Sequence, residues 1–443
     1  MTTQRIEVFV GDTPAGILTV DQVPGTRREH ISFTYHEQWL ATGFPLSPEL
    51  PLDRVTRQPT LGRNIFGAFA DAGPDRWGGR LIQEQARRAG IPAFELTETR
   101  MLLLVPDDTR QGALRFRTNG KFQGNNSGAA NIQDLDTLAK TAQQIADGSN
   151  LNTATNYFLQ TGTSPGGAQP KTVVRDNNGQ LWLAKYPLSA TPLDQGRWEH
   201  ATALASHDAG IDVPETRILP IDSSSAIFLT RRFDRTINGE RLPYVSFRTM
   251  LQFIDEPVNP SYVTLARELR HWSSTPERDL DQWFRRAVFN AAISNNDDHL
   301  RNFGLLRGPD GWHLSPAFDV NPAPATVRSN TPLTPHGDPN KRDPQQLLDY
   351  AADFGITPDH ANQILHEVTA IARQLPEYGL LVGVAPEALD TPMWRTFREN
   401  TRHLPTTTDR QPNRSPQPGT GTIWVRPHLR NGKPVAGHYR TKR

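Results

Sequence analysis

Alternating apolar and polar positions near the start of the chain predict β-strands. Ile6, Val8 and Val10 repeat with a period of two, and residues 31–35 repeat the same pattern. Such alternation is typical of strands that bury one face and expose the other. Residues 1–117 are therefore predicted to form a small β-rich N-terminal domain.

Two further segments predict a β-hairpin in the next part of the chain. Residues 171–174 and 181–186 have the apolar and β-branched character of strands, and residues 176–179 between them read Asp-Asn-Asn-Gly. Asn and Gly adopt the positive φ angles of tight hairpin turns with little strain. We expect a strand-rich segment over residues 151–245. Residues 118–150 before it are predicted to be a linker or loop region, of which residues 118–135 are rich in Gly, Asn and Gln.

The apolar period lengthens to that of a helix from about residue 246. Between residues 280 and 294, five apolar side chains fall on one helical face. These side chains are Phe284, Ala287, Val288, Ala291 and Ala292. A mainly helical segment is therefore predicted over residues 246–400, and strands followed by helices indicate an α+β protein.

The end of the chain, residues 401–443, is predicted to be a flexible basic tail. Its last 33 residues contain seven Lys and Arg but no Asp or Glu. One short hairpin is predicted there around Asn431 and Gly432, with residues 423–425 paired to residues 433–435. We favour a solubilising appendage, with electrostatic contact to nucleic acid as the alternative. Three side chains of the tail could stack on bases: Trp424, His428 and Tyr439.

Composition narrows the class of protein. Lys and Arg number 48 against 47 Asp and Glu, so the net charge of +1 argues neither for nor against nucleic acid. The absence of cysteine excludes disulfides, a thiol nucleophile and a thiolate zinc site. Residues 1–8 lack the pattern of a signal peptide, and no apolar run reaches the ~18 residues of a membrane span. We expect a cytoplasmic protein without membrane contact.

Three oxygen-bearing side chains follow the apolar helix in an order that suits phosphoryl transfer. Asp297 and Asn302 have four residues between them, and Asp319 lies 17 residues after Asn302. Kinases use this order for a catalytic base and two metal-binding groups, and hard oxygen ligands suit Mg²⁺. The Gly308-Pro-Asp-Gly311 turn predicts a β-hairpin that would place Asn302 and Asp319 side by side. The alternative is that all three are ordinary turn and capping residues.

A glycine-rich loop and a lysine precede these three residues. Residues 162–167 are small, so their backbone can approach phosphates, although the loop lacks the Gly-Lys-Ser/Thr ending of a P-loop ATPase. The candidates for nucleotide contact here are Gly166, Gly167, Ala168 and Gln169. Lys185 ends an apolar strand, where a phosphate partner would offset the cost of burying an ammonium. The alternative is a lysine that reaches solvent at the strand end.

Together these residues resemble the HipA family, the kinase toxins of bacterial toxin–antitoxin pairs. The resemblance covers residues 5–395. Its most specific motifs are Ser164-Pro-Gly-Gly-Ala-Gln-Pro-Lys171, Arg232-Phe-Asp-Arg235, Asn296-Asp-Asp-His-Leu-Arg-Asn-Phe303 and Ser315-Pro-Ala-Phe-Asp319. It implies a two-lobed, protein-kinase-like fold with a β-rich N-lobe and a helical C-lobe, preceded by the small β-rich domain.

The resemblance implies roles for the residues of the proposed active site. Asp297 matches the family's catalytic base, Asn302 and Asp319 match its magnesium ligands, and Lys185 matches its phosphate-binding lysine. Asp298, beside the base, is assigned no catalytic role.

Contacts to ATP are implied for four more residues. Arg231 and Phe233 fall on the hinge whose backbone holds adenine, and Asp234 follows where the ribose would lie. His299 matches a residue near the nucleotide. Arg231 departs from the family pattern, in which an acidic residue is common, but a backbone contact survives that change.

Regulation and partners are also implied by the resemblance. Ser164 matches a serine that family members autophosphorylate, which ejects the glycine-rich loop and silences the kinase; here Pro165 follows it directly. The substrate would be a translation protein such as an aminoacyl-tRNA synthetase, and the partner a small helix-turn-helix antitoxin. No helix-turn-helix signal is visible in this chain, so contact with DNA would run mainly through the antitoxin.

Two other classes of protein stay open. A metal-dependent nuclease would use His299, His313 and Asp319 as ligands, but it leaves Lys185 and the glycine-rich loop unexplained. A degenerate kinase fold would act only as a binding protein or co-repressor. The presence of all the charged groups speaks against that second class.

Overall fold

The computed structural model describes residues 2–124, 128–146, 169–187, 194–222, 225–252, 260–322 and 330–404, with four short strands between residues 422 and 441. The chain divides into two compact units. Unit one comprises Met1–Thr191, Leu229–Val258 and Leu300–Ser315, and unit two comprises Pro192–Phe228, Asn259–His299 and Pro316–Arg443. No helix in these described ranges is both long enough and apolar enough to span a bilayer. The domain boundaries expected from the sequence stay predictions.

The strands and helices are numbered here in chain order. The strands are β1 (Thr2–Val10), β2 (Thr13–Gln22), β3 (Glu29–Tyr35), β4 (Leu114–Thr118), β5 (Lys121–Phe122), β6 (Ala130–Asn131), β7 (Lys171–Arg175), β8 (Leu181–Lys185), β9 (Thr216–Pro220), β10 (Ala226–Arg231), β11 (Tyr244–Ser246), β12 (Gly304–Gly308), β13 (Gly311–Leu314), β14 (Thr422–Val425), β15 (His428–Arg430), β16 (Lys433–Val435) and β17 (His438–Thr441). The helices are α1 (Glu37–Thr42), α2 (Gly67–Asp71), α3 (Arg76–Arg88), α4 (Glu98–Leu104), α5 (Leu135–Ala146), α6 (Gln195–Asp208), α7 (Phe247–Met250), α8 (Tyr262–Trp272), α9 (Pro276–Ala292), α10 (Pro358–Ala372), α11 (Leu375–Leu381) and α12 (Pro392–Thr401). Short 3-10 helices occupy Ala93–Glu95, Ile132–Asp134, Pro344–Phe354 and Pro386–Asp390.

An antiparallel sheet in the order β3-β2-β1-β4-β5 begins unit one. Ile6 lies opposite Leu18 across β1 and β2, and both side chains are fully buried. The apolar face of the sheet shares a core with Phe66 and with Phe69 of α2. The alternation seen in the sequence therefore corresponds to the buried face of a real sheet, although α1 to α4 also belong to this region.

Two hairpins in unit one confirm predictions from turn sequences. β7 pairs antiparallel with β8, and Gly179 in the connecting turn has a φ of 79°. β12 pairs antiparallel with β13 around Gly308 and Gly311, and β11 pairs with the other edge of β12. Positive φ favours glycine, which explains why Asp-Asn-Asn-Gly identified the first turn correctly.

Helix α9 is the central helix of unit two and packs against α8, α10 and the 3-10 helix Pro344–Phe354. All five apolar side chains predicted to share one face of α9 are buried. Helix α6 begins at Gln195, and the chain turns after it at Gly210 with a φ of 78°. The helix and buried apolar face predicted over residues 280–294 are confirmed by α9.

The strand pairing expected in the tail is wrong in one respect. β15 pairs with β16, with Arg430 opposite Lys433, and β14 pairs with β17, with Thr422 opposite Thr441. Because β15 and β16 are separated by only two residues, they pair with each other. Residues 423–425 therefore pair with β17, not with residues 433–435.

We expect Gly196→Ala to destabilise unit two. A Cβ at this position in the first turn of α6 would lie 2.2 Å from the carbonyl oxygen of Ala226, a backbone atom that cannot rotate away. Helix propensity favours Ala over Gly by about 1 kcal/mol. Forced overpacking costs about 1–3 kcal/mol, so the steric effect should win.

Gly79→Ala in α3 is the matched control, because the nearest atom to its added Cβ is Cε of Met101 at 3.5 Å. Urea unfolding should show a lower midpoint for Gly196→Ala and an equal or higher midpoint for Gly79→Ala. An unchanged midpoint for Gly196→Ala would contradict the close packing of α6.

Candidate active site

The loop after α9 in unit two presents one aspartate to solvent. Ser294 turns the chain with a φ of 55°. Asp297 keeps 66% of its side chain exposed, and Nε2 of His299 lies 3.7 Å from its Oδ1. The backbone N–H of Asp297 donates to Oδ1 of Asn295 at 3.2 Å. The base candidate therefore lies on an anchored turn with its carboxylate open to solvent.

The neighbouring carboxylate of Asp298 is completely buried and fully hydrogen-bonded. Its Oδ1 accepts from the backbone N–H groups of Asn330 at 3.2 Å and Thr331 at 3.1 Å. Its Oδ2 accepts from the Tyr262 hydroxyl and the Arg342 guanidinium, both at 2.9 Å. Since an unpaired buried charge is strongly unfavourable, these four bonds hold the loop at this point.

A second series of hydrogen bonds leads from Tyr262 to Asp297. The Tyr262 hydroxyl accepts from Nδ2 of Asn290 at 2.9 Å, and Oδ1 of Asn290 accepts from Nδ2 of Asn295 at 3.1 Å. Burial, and then the charge of Asp298, raise the pKa of Tyr262 well above its usual value, so the hydroxyl stays protonated and donates. Sequence reasoning missed this buried network around Asp298, because its members are far apart in the chain.

Asp319 in unit two has a left-handed backbone conformation with a φ of 56°. Such strain in a residue other than glycine is uncommon, and it concentrates at functional sites. The N–H of Ala317 donates to the carbonyl of Asp212 at 2.8 Å, which anchors the segment that leads to Asp319. A single carboxylate on an anchored, strained turn is suited to a ligand contact of defined direction.

Asn302 belongs to unit one, where α7 holds the backbone on both sides of it. The N–H of Phe247 donates to the carbonyl of Phe303 at 2.9 Å, and the N–H of Arg248 donates to the carbonyl of Leu300 at 3.2 Å. The side-chain oxygens of an asparagine and an aspartate are hard donors of the kind that Mg²⁺ accepts. The chemistry of Asn302 and Asp319 therefore fits magnesium.

Lys185 is 5% exposed at the end of β8 in unit one. Lys171 lies opposite it on β7, and Nζ of Lys171 pairs with the Asp75 carboxylate at 3.0 Å. Lys171 is thus paired inside the protein, and the phosphate-binding role expected for Lys185 stays a prediction. Nε2 of Gln169 donates to the carbonyl of Tyr186 at 3.1 Å, beside Lys185. The other loop candidates lie outside the described residues: Ser164, Gly166, Gly167 and Ala168.

The hinge candidates follow β10 in unit one. Arg231 and Phe233 are half-buried, and the N–H of Arg232 between them donates to the carbonyl of Leu181 on β8 at 2.9 Å. Asp234 is 1% exposed, and both its carboxylate oxygens accept hydrogen bonds from protein groups. Its contact with ribose stays a prediction, and its hydrogen bonds favour a different role.

The position of His313 argues against the metal-ligand set that a nuclease would need. Its Nε2 lies 2.8 Å from Oδ1 of Asp310, within the β12–β13 hairpin. In the ranges that the structure covers, no group of three or more His, Cys, Asp or Glu side chains is arranged to hold a metal ion.

Comparison with known proteins gives consistent matches along the chain. The model of the HipA N-terminal domain matches residues 6–117, and the model of the HipA-like C-terminal domain matches residues 163–375. The serine/threonine-protein kinase toxin HipA of Shewanella oneidensis is 23% identical over 415 residues, or 85% of this chain and 88% of that protein. A putative kinase of Sinorhizobium fredii is 29% identical over 166 residues, or 34% of this chain and 39% of that protein.

A solved structure is similar over nearly the whole chain. It is the complex of Shewanella oneidensis HipA with HipB and its operator DNA, which matches with a TM-score of 0.63 at 19% identity. The match covers 90% of this chain and 94% of that one. It confirms the predicted α+β, protein-kinase-like fold.

Asp298→Ala is expected to destabilise unit two by about 3–5 kcal/mol, because it leaves Arg342 buried without its carboxylate. Asp297→Ala is the matched control, since it changes the adjacent exposed residue and should stay within about 0.5 kcal/mol of wild type. Urea unfolding followed by tryptophan fluorescence measures both. Equal midpoints for the two variants would show that Asp298 does not hold the loop.

Proposed function

The chain belongs to the HipA family, and we propose that it is an ATP- and magnesium-dependent serine/threonine protein kinase. The observation that carries this proposal is the exposed carboxylate of Asp297, on a loop that the buried Asp298 holds in place. A base that accepts a proton from a protein hydroxyl has to be both accessible and well positioned. Relatives described as a kinase toxin and as putative kinases support the same activity.

In the proposed reaction, Asp297 accepts the proton of a serine or threonine hydroxyl of the substrate. The hydroxyl oxygen forms a bond to the γ-phosphorus of ATP, the bond from that phosphorus to the β–γ bridging oxygen breaks, and ADP leaves. Lys185 compensates negative charge on the phosphates. Asn302 and Asp319 would hold Mg²⁺, which supplies further charge compensation at the phosphate oxygens when bound.

The remaining nucleotide contacts are proposed from the motifs. The backbone at Arg231 and Phe233 would hold adenine, with His299 near the nucleotide. The glycine-rich loop would lie over the phosphates through Gly166, Gly167, Ala168 and Gln169. The hydrogen bond from Gln169 to Tyr186 supports this arrangement, because it ties the end of the loop to the residue after Lys185.

We further propose that this kinase is the toxin of a toxin–antitoxin pair. The support is membership of the HipA family and a solved relative that was determined with HipB and its operator DNA. The partner of this chain would be a small helix-turn-helix antitoxin, and the antitoxin would make most of the contact with DNA. The substrate would be a translation protein such as an aminoacyl-tRNA synthetase.

Asp297→Asn is expected to lower phosphoryl transfer from γ-labelled ATP by roughly a thousand-fold or more, because the amide cannot accept the hydroxyl proton. Asp319→Ala should cause a loss of similar size by removing a carboxylate from the proposed magnesium ligands. Asp310→Asn is the matched control, since Asp310 is also 66% exposed but lies outside the proposed site. Near wild-type labelling by Asp297→Asn would refute its assignment as the base.

Phosphate is expected on Ser164 in wild-type protein incubated with ATP and magnesium, because the family resemblance implies self-silencing at this serine. Mass spectrometry of tryptic peptides would detect it, and Asp297→Asn treated identically should lack it. If active wild-type protein never carries phosphate at Ser164, the proposed off switch is wrong while the kinase proposal stands.

A further inference from the structure

We infer that Asp234 is a positioning residue that fixes the hinge segment, residues 231–235, to residues 107–112 of the N-terminal region and makes no contact with ribose. The inference rests on the proposed kinase function, since it concerns how the nucleotide-binding hinge is held. It also makes the N-terminal region a structural part of nucleotide binding. All the contacts involved lie within unit one.

Burial alternates along the hinge segment as the chain leaves β10. Arg231 and Phe233 are half-buried, whereas Arg232 and Asp234 are buried. The buried pair faces residues 107–112, because both of its side chains form hydrogen bonds with that segment. The half-buried pair is the one that remains accessible to a ligand.

Asp234 accepts hydrogen bonds from protein donors on both carboxylate oxygens. Oδ1 accepts from Nε of Arg232 at 2.8 Å. Oδ2 accepts from Nη2 of Arg232 at 2.5 Å, Nη1 of Arg235 at 2.9 Å and the N–H of Gly112 at 2.7 Å. Four bonds match the roughly four acceptor positions of a carboxylate. A ribose hydroxyl would have to displace one of these donors from a buried site, which is unfavourable.

The same two arginines donate to backbone carbonyls of residues 107–112. Nη1 of Arg232 donates to the carbonyl of Thr109 at 2.9 Å, across 123 positions of the chain. Nη2 of Arg235 donates to the carbonyl of Arg110 at 2.8 Å. Planar guanidinium groups suit this geometry, because one side chain can donate in two directions at once. Each arginine thus joins the Asp234 carboxylate to the N-terminal region.

Residues 107–112 are themselves anchored by the buried Arg110. Its Nη1 donates to the carbonyls of Ala72 at 3.1 Å and Leu102 at 2.8 Å, and its Nη2 donates to that of Val105 at 2.8 Å. Burial lowers the pKa of Arg110 to about 9, so the side chain remains charged at neutral pH. The hinge is therefore tied to the ends of α2 and α4 through this loop.

The cluster requires Asp234 to carry its charge. Burial alone would raise the pKa of Asp234, but Arg232 and Arg235 hold it well below its usual range. Burial lowers the pKa of Arg235 to about 10, which still leaves it protonated at neutral pH. An amide at position 234 would remove the carboxylate charge that pairs with both the Arg232 and the Arg235 guanidinium groups. Asp234→Asn should therefore loosen the hinge even though the side chain keeps its shape.

Calorimetric titration of the full chain with ATP and with 2′-deoxy-ATP, each with magnesium, tests the inference. For Asp234→Asn we expect ATP to bind on the order of tenfold more weakly and 2′-deoxy-ATP to weaken by the same factor. Titration with 3′-deoxy-ATP should give the same factor again. A smaller loss for either deoxynucleotide than for ATP would reveal a ribose contact and overturn the inference, as would unchanged affinity for all three nucleotides.

Arg235→Gln keeps the inference testable should Asp234→Asn fold poorly, because Arg235 lies outside the proposed nucleotide contacts. We expect weaker binding of ATP and 2′-deoxy-ATP by one common factor, with kcat within about threefold of wild type. Arg117→Gln is the matched control, since it removes another paired arginine of unit one, whose partner is Glu7. Equal ATP affinity in Arg235→Gln and Arg117→Gln would overturn the inference.

The titrations also separate this inference from the proposed function. A wild-type chain that binds no ATP would remove the kinase proposal and the inference with it. A wild-type chain that binds ATP and transfers phosphate, with an Asp234→Asn variant that loses only its preference for ribose over deoxyribose, would remove the inference alone.

Discussion

The proposed active site depends on two adjacent aspartates that need opposite environments, one exposed and one buried. As the proposed base, Asp297 has to reach a protein hydroxyl, and it is exposed, whereas Asp298 is buried with four hydrogen-bond donors around it. A buried carboxylate is stable only with its partners in place, so the backbone at Asp298 is held in one position. Because Asp297 is covalently bonded to Asp298, the backbone of Asp297 is restrained as well. Tyr262 and Arg342 therefore limit the freedom of the proposed base, which lies next to Asp298.

Buried charge has a comparable structural use in unit one. Asp234 lies between Arg232 and Arg235, and Lys171 pairs with Asp75. Desolvation offsets much of the attraction in such pairs, so they add little net stability. Removing one partner is unfavourable because it leaves the other charge unpaired. We infer that the main effect of these pairs is to hold one arrangement of the hinge and of the strands near Lys185. The neighbouring side chains are then positioned to contact a ligand.

Local signals in the sequence predicted the features that depend on nearby residues, such as the turn that contains Gly179 and the buried face of α9. The order of Asp297, Asn302 and Asp319 indicated a kinase for the same reason, because a motif is a local pattern. The environment of Asp298 was not predictable, since its partner Arg342 is 44 positions away. Asp234 was likewise matched to ribose by its motif, while its contact with Gly112 spans 122 positions.

The position of the label that ATP leaves on protein tests the kinase assignment most directly. The full chain, first treated with a phosphatase that is then removed, would be incubated with magnesium and with either γ-labelled or α-labelled ATP. We predict magnesium-dependent labelling of serine or threonine from γ-labelled ATP alone. Label from α-labelled ATP would indicate nucleotidyl transfer. The absence of label from both nucleotides would show that the chain transfers no phosphoryl group to protein under these conditions. Either result would contradict the proposed function.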